Sequence, residues 1–173
     1  VNRQTHSYPD AHPAQLHGWR RVWVRCAGRD TVFLSVMPDA ATTIDGLIAA
    51  VPGDDWSALD ARENGYARIS SGDAVVHPLT PQPPVAHYSV PAETHVTTGD
   101  HVILLSYLDV VVQGFLREFG EAGVARFFET TQGWDTPVLD DRTAPKYPRA
   151  QRLSSDETAL VNDHLTNCSA TLI

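Results

Sequence analysis

The stretch PGDDWSALDARENGY, residues 52–66, holds the arrangement of side chains with the clearest chemical use. Asp54 or Asp55 can cap a short helix, a side-chain oxygen accepting from the first free amides. On that helix Trp56, Leu59 and Glu63 fall at i, i+3 and i+7 and share one stripe. Trp56 and Leu59 are core-facing types, so Glu63 lies on the apolar face while Asp60 and Arg62 point elsewhere. Asn64-Gly65 supplies a sharp exit, since glycine accepts positive φ. A carboxylate placed there is pushed toward its neutral form by desolvation and by the negative end of the helix dipole. Such a group can take up a proton near neutral pH, which is what a general base must do. The same spacing also suits a structural role in which Glu63 is solvated or pairs with Arg62 or Arg68.

Strands must hold this segment on both sides. Trp19 to Cys26 alternates, with Val22, Val24 and Cys26 on one face and Trp19, Arg21, Trp23 and Arg25 on the other. Thr31 to Met37 reads as a second strand stopped by Pro38-Asp39. Thr43 to Val51 reads as a third, with Gly46 marking a bulge or a close backbone approach. Shorter strands are expected at 66–70, 74–79 and 86–90, with the Pro-rich stretch 78–84 a surface connection. After residue 100 the period changes. Leu108, Val111 or Val112, Phe115 and Phe119 predict a helix that Gly120 terminates, and Val124, Phe127 and Phe128 predict a shorter one. Residues 140–152 read as a polar loop, and Ser154 to Glu157 as a capping box opening a last helix through Leu160, Val161 and Leu165. Strands first and helices afterwards predict an α+β fold, a small mixed sheet or barrel of about five to six strands packed by helices.

Composition narrows the function. The chain has 173 residues, and 13 Lys and Arg against 21 Asp and Glu give a net charge of −8. That balance argues against a nucleic-acid partner, which needs clustered basic residues. No apolar run approaches the ~20 residues that span a bilayer; Val102 to Val112 is interrupted by Ser106 and Asp109. The amino terminus has no apolar signal-peptide core. Cys26 and Cys168 read as unpaired thiols in a reducing compartment. The expectation is an acidic cytoplasmic domain with no membrane partner. There is no G-x-S-x-G, no G-x-x-x-x-G-K-[ST] and no G-x-G-x-x-G. The histidines at 77, 87, 95 and 101 form no metal-ligand spacing, so neither metal nor cofactor is expected.

Leu59-Asp60-Ala61-Arg62-Glu63-Asn64-Gly65-Tyr66 resembles the helix-to-strand motif of the γ-glutamylcyclotransferase-like superfamily, where the glutamate is catalytic. The order around it is similar too. Leu34 to Pro38 and Ile44 to Ile48 resemble the strand–turn–strand before the motif, and His17-Gly18-Trp19-Arg20-Arg21 an earlier strand opening. Ser106-Tyr107, with Phe115 and Gly120 beyond, resembles the helix that carries a substrate-contacting tyrosine. The resemblance covers residues 1 to 135, and Leu59-Asp60-x-Arg62-Glu63 is similar to the glutathione-specific branch as well. It implies one domain over 1–173, with 140–173 as a loop–helix extension. It implies a metal-independent lyase that releases 5-oxoproline from a γ-glutamyl peptide, γ-glutamylamine or glutathione. Glu63 would be the general base and acid, and Tyr107 and Tyr66 would contact substrate; Asp60 would be a solvated or capping residue rather than a second acid. Family members open with a Tyr-Gly-Ser-Leu-type loop whose amides hold the substrate. This sequence lacks one, and Val1-Asn2-Arg3 resembles the family's residues just after that loop, so the loop is expected upstream of Val1. The alternatives are a non-catalytic binding domain on the same scaffold, or an interaction module using Trp134 and Tyr147.

Overall fold

A computed structural model of the chain describes Arg3, Gln4 and residues 10–173. Val1 and Asn2, on which the expected junction with an upstream loop rests, lie outside the described residues. The elements run β1 (His12–Val24), β2 (Phe33–Ile48), α1 (Trp56–Arg62), β3 (Ala67–Ser70), β4 (Val75–Val76), β5 (Ala86–Ser89), β6 (Ile103–Leu104), α2 (Leu105–Thr130), β7 (Thr131–Gln132), β8 (Val138–Leu139) and α3 (Ser155–Asn167). The fold is α+β, as the order of periodicities predicts. The sheet differs from the expected five to six strands. Among the described residues eight strands, most of them short, form three open sheets: β2-β1-β4 with β7 also on β1, β3-β5, and β6-β8.

β1 and β2 make one long antiparallel hairpin, from His12 opposite Ile48 to Val24 opposite Phe33. Pro38-Asp39 does not stop the strand. Proline cannot donate to a ladder, but it is tolerated at a bulge, and here the register slips between His17 and Trp19. Asp39 to Thr42 stand opposite the lone Gly18, and side chains staple them: Arg20 pairs with Asp39 and donates to Thr42 Oγ1 at 3.1 Å. The bulge expected at Gly46 is therefore at Gly18; Gly46 pairs in regular register with Ala14. The other edge of β1 is shared by β4, antiparallel at Gln15 and Leu16, and β7, parallel at Arg21 and Val22. The strand expected over 74–79 shrinks to Val75–Val76, ahead of Pro78. The small β3-β5 sheet hangs on β2, Val90 N donating to Ser35 Oγ at 2.8 Å and Ser89 Oγ to the Val36 carbonyl at 2.7 Å.

α2 packs across the β1 face that carries Arg21 and Trp23, not the Val22 face. Trp23 is buried, whereas Val22 is only half-buried. The core gathers Trp23, Leu108, Phe115, Val124, Phe127 and Phe128, with Val161 and Leu165 from α3. α2 breaks where the spacing places its end. Gly120 has φ 64° and ψ −173°, a conformation essentially closed to other residues, and a second helical segment follows it. α3 opens on the expected capping box, Ser154 and Glu157 each accepting the other's backbone amide.

The loop after residue 140 is more than a polar connection. Buried Asp141 accepts from Ser106 N at 2.8 Å, Ser106 Oγ at 2.6 Å and Lys146 N at 2.8 Å, tying the start of α2 to the loop. Beside it Arg142 forks onto buried Asp109 at 2.8 and 2.7 Å. Burial alone would raise the Asp141 carboxyl, but the hydrogen bonds from Ser106 and Lys146 outweigh it and hold the group below its ordinary range. Asp141→Ala strands the Ser106 donors, and a loss of about 1–3 kcal/mol is expected in urea unfolding. A depressed folded carboxyl contributes stability above its unfolded value and loses it as pH falls through the folded one. The gap between wild type and Asp141→Ala should thus be full above pH ~4 and close below it.

Candidate functional site

A cavity of about 680 Å³ opens between the β1–β2 hairpin, α1, β5 and the Pro-rich stretch. That is within the range of roughly 300–1,000 Å³ typical of small-molecule sites. Its walls are largely apolar, with Leu16, Val36, Ile44, Leu47, Val75 and Val85 among them.

α1 turns Trp56, Leu59 and Glu63 to this space. Asp55 is the N-cap, accepting from Ala58 N at 2.9 Å, while Asp54 accepts from Trp56 Nε1 at 2.8 Å. Trp56, Leu59 and Glu63 all line the cavity, so the predicted stripe is a real face. Glu63 is the C-cap of α1, its N–H donating to Leu59 O at 2.9 Å and its own carbonyl accepting from Tyr66 N at 3.0 Å. The turn between them needs Gly65, at φ 98°. Arg62 does not point elsewhere. It also lines the cavity and donates from Nε to Glu63 Oε1 at 3.0 Å. Arg68, the other candidate partner of Glu63, goes instead to Asp60 at 3.2 Å and lies over the Trp56 ring at 4.6 Å. Asp60 also accepts from Tyr88 OH at 2.6 Å and so belongs to the contact between α1 and β5.

Tyr66 and Tyr107, the expected substrate contacts, are not part of the lining. Burial raises the Tyr66 hydroxyl to about 12, with the Glu63 and Cys26 charges adding to it. Burial also raises Tyr107, reinforced by Tyr66, Tyr147 and Glu63 and opposed by Arg21. Both phenols therefore stay protonated at neutral pH and keep a hydroxyl proton to donate. Tyr107 packs edge-on against Trp23 at 6.0 Å and Tyr147 at 5.0 Å.

Other polar residues line the cavity to which the sequence gives no role at a site, Arg21, Asp45 and His87 among them. Arg21 shares the parity of Trp19 and Trp23 on β1, and a cation on an aromatic face is the signal that could find it. Asp45 is buried and bound by Arg126 Nε at 2.7 Å and Gln15 Nε2 at 3.1 Å. His87 stands edge-on to Trp19 at 4.4 Å and shares a 2.9 Å hydrogen bond with Ser71 Oγ. Burial lowers its pKa, which keeps the ring neutral near pH 7. Among the described residues no group of three or more His, Cys, Asp or Glu could hold a metal ion, and no helix is long and apolar enough to cross a membrane.

No family model matches the chain, and no curated protein matches it. Among solved structures, the solution structure of an Arabidopsis thaliana protein is similar at 19% identity, covering 66% of this chain and 75% of that one, with a TM-score of 0.33.

Proposed function

We propose that the chain is a γ-glutamylcyclotransferase-type lyase. The observation that carries this reading is Glu63, a carboxylate at the exit of α1 on the wall of a largely apolar cavity. It stands within the run of residues that resembles the catalytic motif. In the reaction the α-amine of a γ-glutamyl group attacks its own γ-carbonyl carbon. A C–N bond closes the five-membered lactam and the amide C–N bond breaks. Glu63 takes the proton from the attacking amine and returns it to the departing nitrogen, so 5-oxoproline and a free amine leave without water. Because the reaction is intramolecular, a cavity that holds the substrate curled supplies much of the acceleration. Burial keeps Tyr66 and Tyr107 neutral, and the Glu63 charge adds to that effect. In this reading they are neutral neighbours that add no charge to the site.

A second reading, a non-catalytic binding domain on the same scaffold, draws support from the Arg62–Glu63 contact, which gives the glutamate a structural partner. Incubating the full-length protein with γ-glutamyl dipeptides, γ-glutamylamines and glutathione separates the two. The lyase reading expects 5-oxoproline and free amine in equal amounts from at least one of them. A folded protein that releases 5-oxoproline from none of them rejects it.

A further inference from the structure

Arg21 is a buried cation with no carboxylate in direct contact among the described residues. The residue is 8% exposed, yet it contributes to the cavity wall. Its guanidinium lies 4.8 Å from the centre of the Phe115 ring and 5.6 Å from that of Phe127. Those rings fix the group in place but bring no negative charge, and its hydrogen bond from Nη2 goes to the neutral main-chain carbonyl of Asp45. The Asp45 carboxylate is already taken by Arg126 and Gln15. Among the described residues no carboxylate lies within 4 Å of Arg21. Two guanidinium groups around one carboxylate leave a positive charge unmatched. Burial lowers Arg21 to about 10, with Asp45 and Tyr107 opposing the fall, so the group remains charged at neutral pH. A buried, unpaired cation is costly to a folded protein, and a planar fork of N–H donors is suited to a carboxylate.

We propose that Arg21 anchors the carboxylate of a small ligand in the cavity between the β1–β2 hairpin and α1. Glu63 faces the same space. The ligand class is therefore a small amino acid or its lactam, with the carboxylate on Arg21 and the nitrogen end toward Glu63. The choice of probe rests on the cyclotransferase reading; the anchoring role itself requires no turnover.

The probes are 5-oxoproline and its carboxamide, which keeps the ring but has no charge, with binding followed by calorimetry on the full chain. Wild type is expected to favour the carboxylate at least tenfold. Arg21→Gln should erase that preference, and Arg21→Lys, which keeps the charge but not the fork, should retain part of it. A role confined to packing on Phe115 and Phe127 would weaken both probes alike. Equal binding of the two probes by wild type, or no binding of either, overturns the anchor, and this arm does not depend on a variant folding. An undiminished preference in a folded Arg21→Gln overturns it too. Carboxylate preference without 5-oxoproline release from any γ-glutamyl compound keeps the anchor and ends the lyase reading. Release with unchanged KM in folded Arg21→Gln keeps the lyase and ends the anchor.

Discussion

Glu63→Gln is expected to lower 5-oxoproline turnover by roughly 10²–10⁴-fold, the usual contribution of a positioned general acid–base group. Glutamine keeps the shape and can still accept from Arg62, but it cannot take the proton of the attacking amine. KM should change far less than kcat, because the lost step is proton transfer rather than binding. Stability should barely move. The Glu63 side chain is 30% exposed and that of Arg62 47%, so this is a surface-type pair of about 0–1 kcal/mol. A purely structural Glu63 gives the opposite pattern: near-wild-type release with a small loss of stability. Initial rates over a range of γ-glutamyl concentrations, with a thermal melt of the same preparation, distinguish the two.

Phe127→Ala should be the most damaging core change, costing about 3–5 kcal/mol. Phe127 is 1% exposed, and its ring meets those of Phe115 at 4.9 Å, Phe128 at 5.3 Å and Trp134 at 6.2 Å. Truncation leaves a void that three rigid rings cannot easily fill, on a total stability of about 5–15 kcal/mol for a domain of this kind. It also removes one of the two rings under Arg21. The urea midpoint should fall while the slope is kept. A loss below ~1 kcal/mol would mean that the aromatic cluster re-forms around the gap, and that Phe127 is not its keystone.

Features fixed by neighbours in sequence are legible from the residues alone. The break at Gly120 needs only a residue that tolerates positive φ, and the cap at Ser154 needs only Glu157 three residues on. The Glu63 face comes from helical spacing, and Trp56, Leu59 and Glu63 do line one cavity, with Arg62 beside them against that spacing. The features that escape depend on partners distant in sequence. Pro38 reads as a stop until Gly18 is seen opposite the bulge that accommodates it. Arg21 reads as one polar residue in an alternating strand until α2 covers it with Phe115 and Phe127. Asp141 reads as a loop acid until Ser106 is found beneath it. The Arg62–Glu63 contact is one of two pairings the sequence allows. Spacing cannot choose between Arg62 and Arg68, because α1 ends there and β3 turns back.

The seams on β1 also order the assembly of the chain in time. Its ladder with β2 closes across a short turn, whereas its parallel seam with β7 joins Arg21 to Thr131 and Val22 to Gln132, residues separated by more than half the chain. Loop-closure entropy makes the first contact quick and the second slow. The β7 seam is reached only through α2, which ends where β7 begins. The rings beneath Arg21 lie on α2 too, so the cover over the cation comes from the same distant part of the chain. The hairpin wall therefore rests on contacts close in sequence, whereas the burial of its cation rests on α2, distant in sequence from both strands.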